Sequence, residues 1–408
     1  MNGAVLAVGD ELLLGDIVNS NAAWLGEQLA AAGVQVVHSA MVGDDVTRLA
    51  TALRRALEDA AVVVLTGGLG PTIDDLTREA VALVTGRPLR RMPAIEDQLR
   101  ARFAAYAVPM PIEVLKQADV PAEAEALDNP VGTAPGLWLE TGDAIVIALP
   151  GPPHEMRAVA ELILPRLAER SGTRVVTRTL RSAGLGESAV AELVEAAVTV
   201  PAGVALAYLA GAGIVRVRFT TAGDPAALEP LVAACAAVLG DAVWGYDDDS
   251  LDGVVHRLLA ARGETVAVAE SLTGGLLSGA LSQRPGSSAT YRGGVVVYAT
   301  DLKATLAGVP AELLASRGAV AAQTAEALAE GVRSRLGANW GIGVTGVAGP
   351  GEQEGKPVGT VHVAVAGPTG VDVRTLRQPG DRDRVRLGAV NAALDLLRRR
   401  LRTAKPHP

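Results

Sequence analysis

Residues 1–170 alternate short apolar runs with amphipathic stretches, and this alternation limits the fold more than any other feature of the chain. Residues 4–8, 34–41, 62–65 and 144–149 read as strands. Residues 21–32, 46–58 and the stretch from about His154 read as helices. Continuous apolar strands alternating with helices predict a mostly parallel sheet covered on both faces. Ligands of such sheets sit at the carboxyl ends of the strands. Two loops lie at such ends, TGGLGPTIDDLT at 66–77 and LPGPPHEM at 149–156. In the first, Gly67, Gly68 and Gly70 leave backbone amides open to a phosphate, with Pro71 and Thr72 in the same loop. The adjacent carboxylates Asp74 and Asp75 suit a divalent cation, which takes several oxygens, and Glu11 is a further candidate for that site. The same segment also reads as a plain strand–helix turn with Asp at the helix N-cap.

The chain has 408 residues. At about 100–200 residues per domain it is too long for one core. The pattern changes near Thr173. Residues 174–181, 204–209 and 215–220 read as extended and 187–197 and 226–239 as helical, which makes a small α+β unit. YDDDS at 246–250 reads as a linker. A third α/β unit starts at Leu251 and ends in a long helix over 384–401. The expected domains are therefore 1–170, 171–248 and 249–408. Hydrophobic residues make up 49% and charged residues 20%, as in a globular chain.

The net charge of −8 argues against a general nucleic-acid-binding surface. The basic end, Arg398–Arg402 with Lys405, reads as a solvated helix terminus, where cations suit the helix dipole. A single cysteine, Cys235, allows no disulfide within the chain and no Cys-rich zinc site, and fits a reducing compartment. The N-terminus lacks a basic leader and an A-x-A cleavage pattern, so a cytoplasmic location is expected. Residues 196–215 carry no charge, but Pro201, Gly203, Gly211 and Gly213 interrupt them. They read as strand–turn–strand rather than as a membrane span.

In the last third, AESLTGG at 269–275 follows an apolar strand. Ser271 lies where strand turns to helix, and Gly274 and Gly275 permit close approach of a ligand. Such a turn can expose a nucleophilic hydroxyl beside free amides. A serine needs a base. His256 and His362 lie in no recognisable triad context, which leaves a Ser–Lys arrangement with Lys303 or Lys356. Tyr298 and Lys303 lie at another strand end and lower each other's pKa if desolvated together. The loop GVTGVAGPG at 343–351 is rich in bare amides. PGDRDRVR at 379–386 sets Arg382 in the first turn of the last helix, where it suits a phosphate. A Ser at a helix start, an inward-facing Tyr, a surface Lys and a solvated Arg would also satisfy these patterns.

Taken together, these motifs resemble the CinA (competence/damage-inducible protein) family over essentially the full chain. The N-terminal likeness rests on GDELLLGDIVNSNAAWL at 9–25, GGLGPTIDDLTREA at 67–80, NPVGTAPG at 129–136 and LPGPPHEM. It implies a three-layer αβα molybdopterin-binding-like fold and a metal-dependent ADP-ribose pyrophosphatase. The middle unit, with LGES at 185–188, resembles the family's small α+β KH-like linker domain. The C-terminal part resembles the nicotinamide-nucleotide amidase domain, on AESLTGG, GSS at 286–288, Y-x4-K at 298–303, GAV at 318–320, GVTGVAGP and GDRD-x-VR.

That last likeness implies deamidation of nicotinamide mononucleotide without a cofactor. Ser271 would be the nucleophile and Tyr298 with Lys303 the activating pair. Thr273, Gly274, Gly275, Thr345, Gly346 and Arg382 would bind substrate. The family usually reads AESCTGG, and Leu272 here excludes a cysteine nucleophile at that position. The resemblance also suggests a homodimer. Three alternatives stay open: a molybdopterin-related enzyme, a non-enzymatic adaptor in competence or recombination, and a chain in which only one of the two active sites works.

Overall fold

Four of the apolar runs pair side by side. A computed structural model describes residues 1–142, 144–172 and 175–404. In it Gln35–Val42, Asn2–Val8, Val62–Thr66 and Ala144–Leu149 run parallel, and Gly136–Thr141 and Glu125–Leu127 extend the sheet antiparallel. Neighbouring residues of a strand point to opposite faces. Val5, Val62 and Val64 accordingly meet Leu25, Leu29, Val159 and Ile163, while Leu6, Val63 and Leu65 meet Leu49, Leu53 and Ala80 on the other side. Helices cover both faces, as the alternation predicts. The helix Val46–Asp59 starts where the Asp45 carboxylate accepts from Arg48 N–H at 2.8 Å.

The chain divides after Val176 into two compact units. The second unit begins with a four-stranded sheet of Val204–Gly211, Ile214–Thr221, Val176–Ala183 and Val243–Tyr246, in that order. The stretch 196–215 lies here as the end of the helix Glu187–Ala197, a strand and a hairpin turn. Pro225–Ala242 is long and apolar enough to cross a membrane. However, its α-helix is only Glu229–Leu239, and that helix buries Leu231, Val232, Cys235 and Leu239. YDDDS is no free linker. Tyr246 ends a strand, Asp247 accepts from Thr179 N–H at 2.9 Å, and Asp249 accepts from Tyr246 N–H at 3.0 Å.

The second unit continues with a five-stranded sheet ordered Tyr291–Val296, Val266–Glu270, Trp340–Gly346, Thr360–Gly367 and Gly370–Arg377. Its first three strands are parallel and the rest antiparallel. Gly341 and Gly343 let the helix Ala322–Arg335 approach closely, because a Cβ on either would stand on the carbonyl oxygens of Ala329 or Ala325. The helix Arg382–Thr403 packs Val385, Ala389, Ala393 and Leu397 into a core shared with Val266, Val268, Ile342 and Val344. The change of pattern at Thr173, the strand start at Arg174 and Lys405 of the basic end lie outside the described residues.

Candidate active site

The strand Val266–Glu270 is fully buried, and its last residue is a carboxylate. A buried charge needs partners. Glu270 accepts from the N–H groups of Gly275 (3.1 Å), Leu277 (3.0 Å) and Ser278 (2.8 Å) and from the Ser278 hydroxyl (2.5 Å). The following helix, Leu276–Ser282, has no side-chain cap of its own, so Glu270 stands in for one. It thereby fixes the turn that carries Ser271. Arg386 braces the same turn from the last helix, donating to the carbonyls of Leu272 and Thr273, each at 3.1 Å.

Lys303 meets Ser271 in this turn. It lies on a short helix, Thr300–Thr305, and its side chain is 1% exposed. Its Nζ stands 3.2 Å from Ser271 Oγ, 2.8 Å from the Val297 carbonyl and 3.2 Å from the Tyr298 carbonyl. No carboxylate lies within ion-pairing distance of it among the described residues. Burial pushes the Lys303 amine below its ordinary value, and the more distant charges of Glu354 and Asp301 oppose that shift. A lysine without an ion pair, held against a serine hydroxyl, is a ready proton acceptor.

Ser271, Lys303, Tyr298, Thr345, Gly346 and Arg382 line one cavity of about 250 Å³. Three expectations need correction. Tyr298 does not share the desolvated space of Lys303. Tyr298 is 56% exposed, its hydroxyl accepts from Arg382 at 2.7 Å, and it bonds the lysine through its backbone carbonyl. Thr273, Gly274 and Gly275 do not line the cavity. The Gly274 amide bonds the Ser271 carbonyl and the Gly275 amide bonds Glu270, so these residues build the turn. Both glycines have positive φ, which explains their type. Thr345 directs its hydroxyl to the Ala319 carbonyl at 2.7 Å, so it holds the cavity wall.

Neither histidine takes part. His256 bonds Thr290 and the Leu281 carbonyl, and His362 bonds Thr375. Sequence reading also missed Glu354. Its carboxylate accepts from the N–H groups of Ala319 (2.9 Å) and Val320 (3.0 Å), which line the cavity. No spacing in the sequence signals this link across 34 residues.

In the N-terminal unit, Glu11, Gly67, Gly68, Gly70, Pro71 and Asp75 line a pocket of about 520 Å³; Thr72 and Asp74 do not. The phosphate cradle is smaller than expected, because the Gly67 amide bonds the Leu149 carbonyl and the Gly70 amide bonds Asp75. The Gly68 amide has no partner among the described residues. Asp75 is not the helix cap. Its oxygens accept from Gly70 N–H, Thr72 N–H and the Thr72 hydroxyl, so it ties the loop to itself, and the helix begins after Leu76.

Arg78 and Lys116 hold the loop from behind. Arg78 is buried and donates to the carbonyls of Leu69 and Gly70, each at 2.7 Å. Lys116 donates to the Asp75 carbonyl at 2.5 Å. Among the described residues no cluster of three His, Cys, Asp or Glu is arranged to hold a metal. Asp74 and Asp75 are accordingly part of no such cluster. The pocket lining nevertheless carries three carboxylates, Glu11, Asp75 and Glu155, and no Lys or Arg.

Comparison with known proteins follows the same division. Residues 4–169 match a probable molybdopterin binding domain, 177–245 the damage-inducible protein CinA KH domain, and 248–401 the CinA C-terminal domain. A CinA-like protein of Frankia casuarinae is 52% identical, covering 98% of this chain and 96% of its own length. A putative competence-damage inducible protein of Moorella thermoacetica is 43% identical, covering 98% and 99%. A solved structure of the protein CinA from Thermoplasma acidophilum, of unknown function, is 38% identical. It covers 41% of this chain and 99% of its own, with a TM-score of 0.39. The chain belongs to the CinA family, with a molybdopterin-binding-like domain, a KH domain and a CinA C-terminal domain in that order.

Proposed function

We propose that the C-terminal site hydrolyses the carboxamide of nicotinamide mononucleotide to nicotinate mononucleotide and ammonia. The observation that carries this reading is the 3.2 Å approach of the buried Lys303 amine to Ser271 Oγ. Neutral Lys303 takes the hydroxyl proton as Ser271 Oγ bonds to the carboxamide carbon. The C–N bond then breaks, the proton passes to the departing nitrogen, and ammonia leaves an acyl-serine. Water, deprotonated by the same amine, hydrolyses that ester and frees the acid. Leu272 and Ala348 line the cavity and their backbone N–H groups have no partner among the described residues, so they are the donors we assign to the developing oxyanion. Arg382, at the mouth, suits the ribose phosphate. No cofactor enters this scheme. The test is ammonia release from nicotinamide mononucleotide by the full chain; near-wild-type release by Ser271→Ala would falsify the assignment.

A second reading, favoured by the charge of the N-terminal pocket, is hydrolysis of the ADP-ribose pyrophosphate. A pyrophosphate entering a lining of three carboxylates without a basic side chain needs a cation with it, so metal dependence fits the charge balance. Glu11, in the lining, is the side chain we assign to meet that cation. Asn21 and Gln117 also line the pocket, and their Oδ1 and Oε1 are buried with no donor among the described residues, as acceptors for ribose hydroxyls would be. ADP-ribose hydrolysis unchanged by EDTA would remove the metal from this reading, and tighter binding of molybdopterin than of ADP-ribose would replace it. We further propose a homodimer. Leu14 (76% exposed), Val18 (88%) and Ile73 (93%) are large apolar side chains left uncovered on this unit. Sedimentation at several concentrations checks it.

A further inference from the structure

We infer that the second unit carries a further ligand site, for a phosphate-bearing small molecule of mononucleotide size, between the KH domain and the last helix. A cavity of about 430 Å³ opens there, and it shares no lining residue with the cavity of Ser271 and Lys303. One wall is the 184–187 turn and the hairpin turn 211–213. The other is the end of the strand Gly370–Arg377 and the start of the helix Arg382–Thr403.

Its charge is what points to a ligand. Arg377 and Arg384 both line it, and among the described residues neither guanidinium has a hydrogen bond or a carboxylate partner. Arginines that approach one cavity from two elements, without a counter-ion, leave a cationic rim that a phosphate neutralises with charge-assisted hydrogen bonds. The cavity's buried carboxylate does not fill that role. Asp395 is already neutralised by Arg398 at 2.7 Å, Arg399 at 2.8 Å and Arg374 at 3.5 Å. Glu187 is the remaining carboxylate of the lining and has no ion pair among the described residues, so it suits a hydroxyl donor such as a ribose rather than a second anion. Ile214 and Leu376 add partly buried apolar surface for a base or another flat group. The volume falls in the range usual for small-molecule sites, roughly 300–1,000 Å³. A mononucleotide joins these three features, a phosphate, a hydroxyl-bearing sugar and an apolar ring. Bound there, it contacts both the KH domain and the C-terminal helix.

The test uses the full chain and adenosine 5′-monophosphate as probe. Arginine side chains are modified with phenylglyoxal, and the rate at each arginine is followed by peptide mass spectrometry. The expected result is a several-fold slowing at Arg377 and Arg384 with adenosine 5′-monophosphate, and no slowing with adenosine. Arg382→Ala, which alters the neighbouring amide site, should keep that protection. Arg377→Ala combined with Arg384→Ala should lose one bound nucleotide per chain in calorimetry while melting like the wild type. Unchanged modification rates at both arginines, or equal nucleotide stoichiometry in the folded double variant, overturns the proposal. Failure of the deamidation reading leaves either outcome as informative as before, because neither readout uses turnover.

Discussion

The N-terminal pocket and the C-terminal cavity both lie at the carboxyl ends of parallel strands, after Val62–Thr66 in one and Val266–Glu270 in the other. In both, a glycine-rich turn follows the strand, and in both a carboxylate folds back on that turn. Asp75 ties the first loop and Glu270 ties the second. The difference lies in which charge reaches the open space. The N-terminal lining presents carboxylates, while its cations, Arg78 and Lys116, stand behind the loop. The C-terminal lining presents a buried amine against a hydroxyl. The same backbone arrangement thus carries carboxylates in one lining and an amine beside a hydroxyl in the other.

The strongest way to break this contrast is to remove the amine. Lys303→Met should lower ammonia release by about 10³-fold or more, the scale of a lost general base, and EDTA should leave the wild-type rate unchanged. If Lys303→Met keeps the rate, the cavity does not work by Ser–Lys chemistry. Glu11→Gln should lower ADP-ribose hydrolysis by about 10²-fold and weaken its response to added divalent cation, with no change in ammonia release. A parallel loss of both activities would show that the two sites are not separate in the way their linings suggest.

A third test concerns the turn itself. Gly67 has φ +103°, and a Cβ there would stand on the Val8 carbonyl. Gly67→Ala should therefore destabilise the N-terminal unit by about 2 kcal/mol, read by denaturant unfolding.

Glu354→Gln sharpens the comparison through pH. In the proposed deamidation Lys303 works as the neutral amine, so the rate should rise with pH through its lowered pKa and level off above it. Glu354 favours the charged amine. Removing that charge should lower the pKa further, and the acid limb of the profile should move to lower pH. An unmoved limb would restrict Glu354 to holding Ala319 and Val320. The smallest effect is expected at Cys235, whose buried thiol is pushed up to about 11 by burial; maleimide should not label it without denaturant.

Most of the fold was legible because apolar runs mark strands and their lengths separate them from helices. Val62–Thr66 and Ala144–Leu149 fall where the runs fall. Ser271 and Lys303 were legible as residues of the right type at strand ends. Their contact was not, because it depends on the short helix Thr300–Thr305, which turns a lysine of surface-like sequence into the core. Spacing alone assigned Tyr298 to the lysine, whereas the exposed ring pairs with Arg382, 84 residues away. The glycine loops were read as free amides. Most of those amides are taken by carboxylates and carbonyls that lie near in space, and a sequence does not show who occupies a donor. Glu354 acts across a long separation and leaves no local pattern, and the motif that ends at Arg386 does not show which turn that arginine reaches.

The brace from Arg386 to the serine turn has a consequence for synthesis. The turn is complete as sequence at Gly275, but the side chain that pins the carbonyls of Leu272 and Thr273 comes more than a hundred residues later. Arg382, at the cavity mouth, is made at nearly the same moment. A chain still on the ribosome, or one cut short before the last helix, therefore holds its serine and its lysine without the lock that sets them. Premature termination anywhere upstream of that helix should yield a protein that is silent towards amides rather than one that is merely slow.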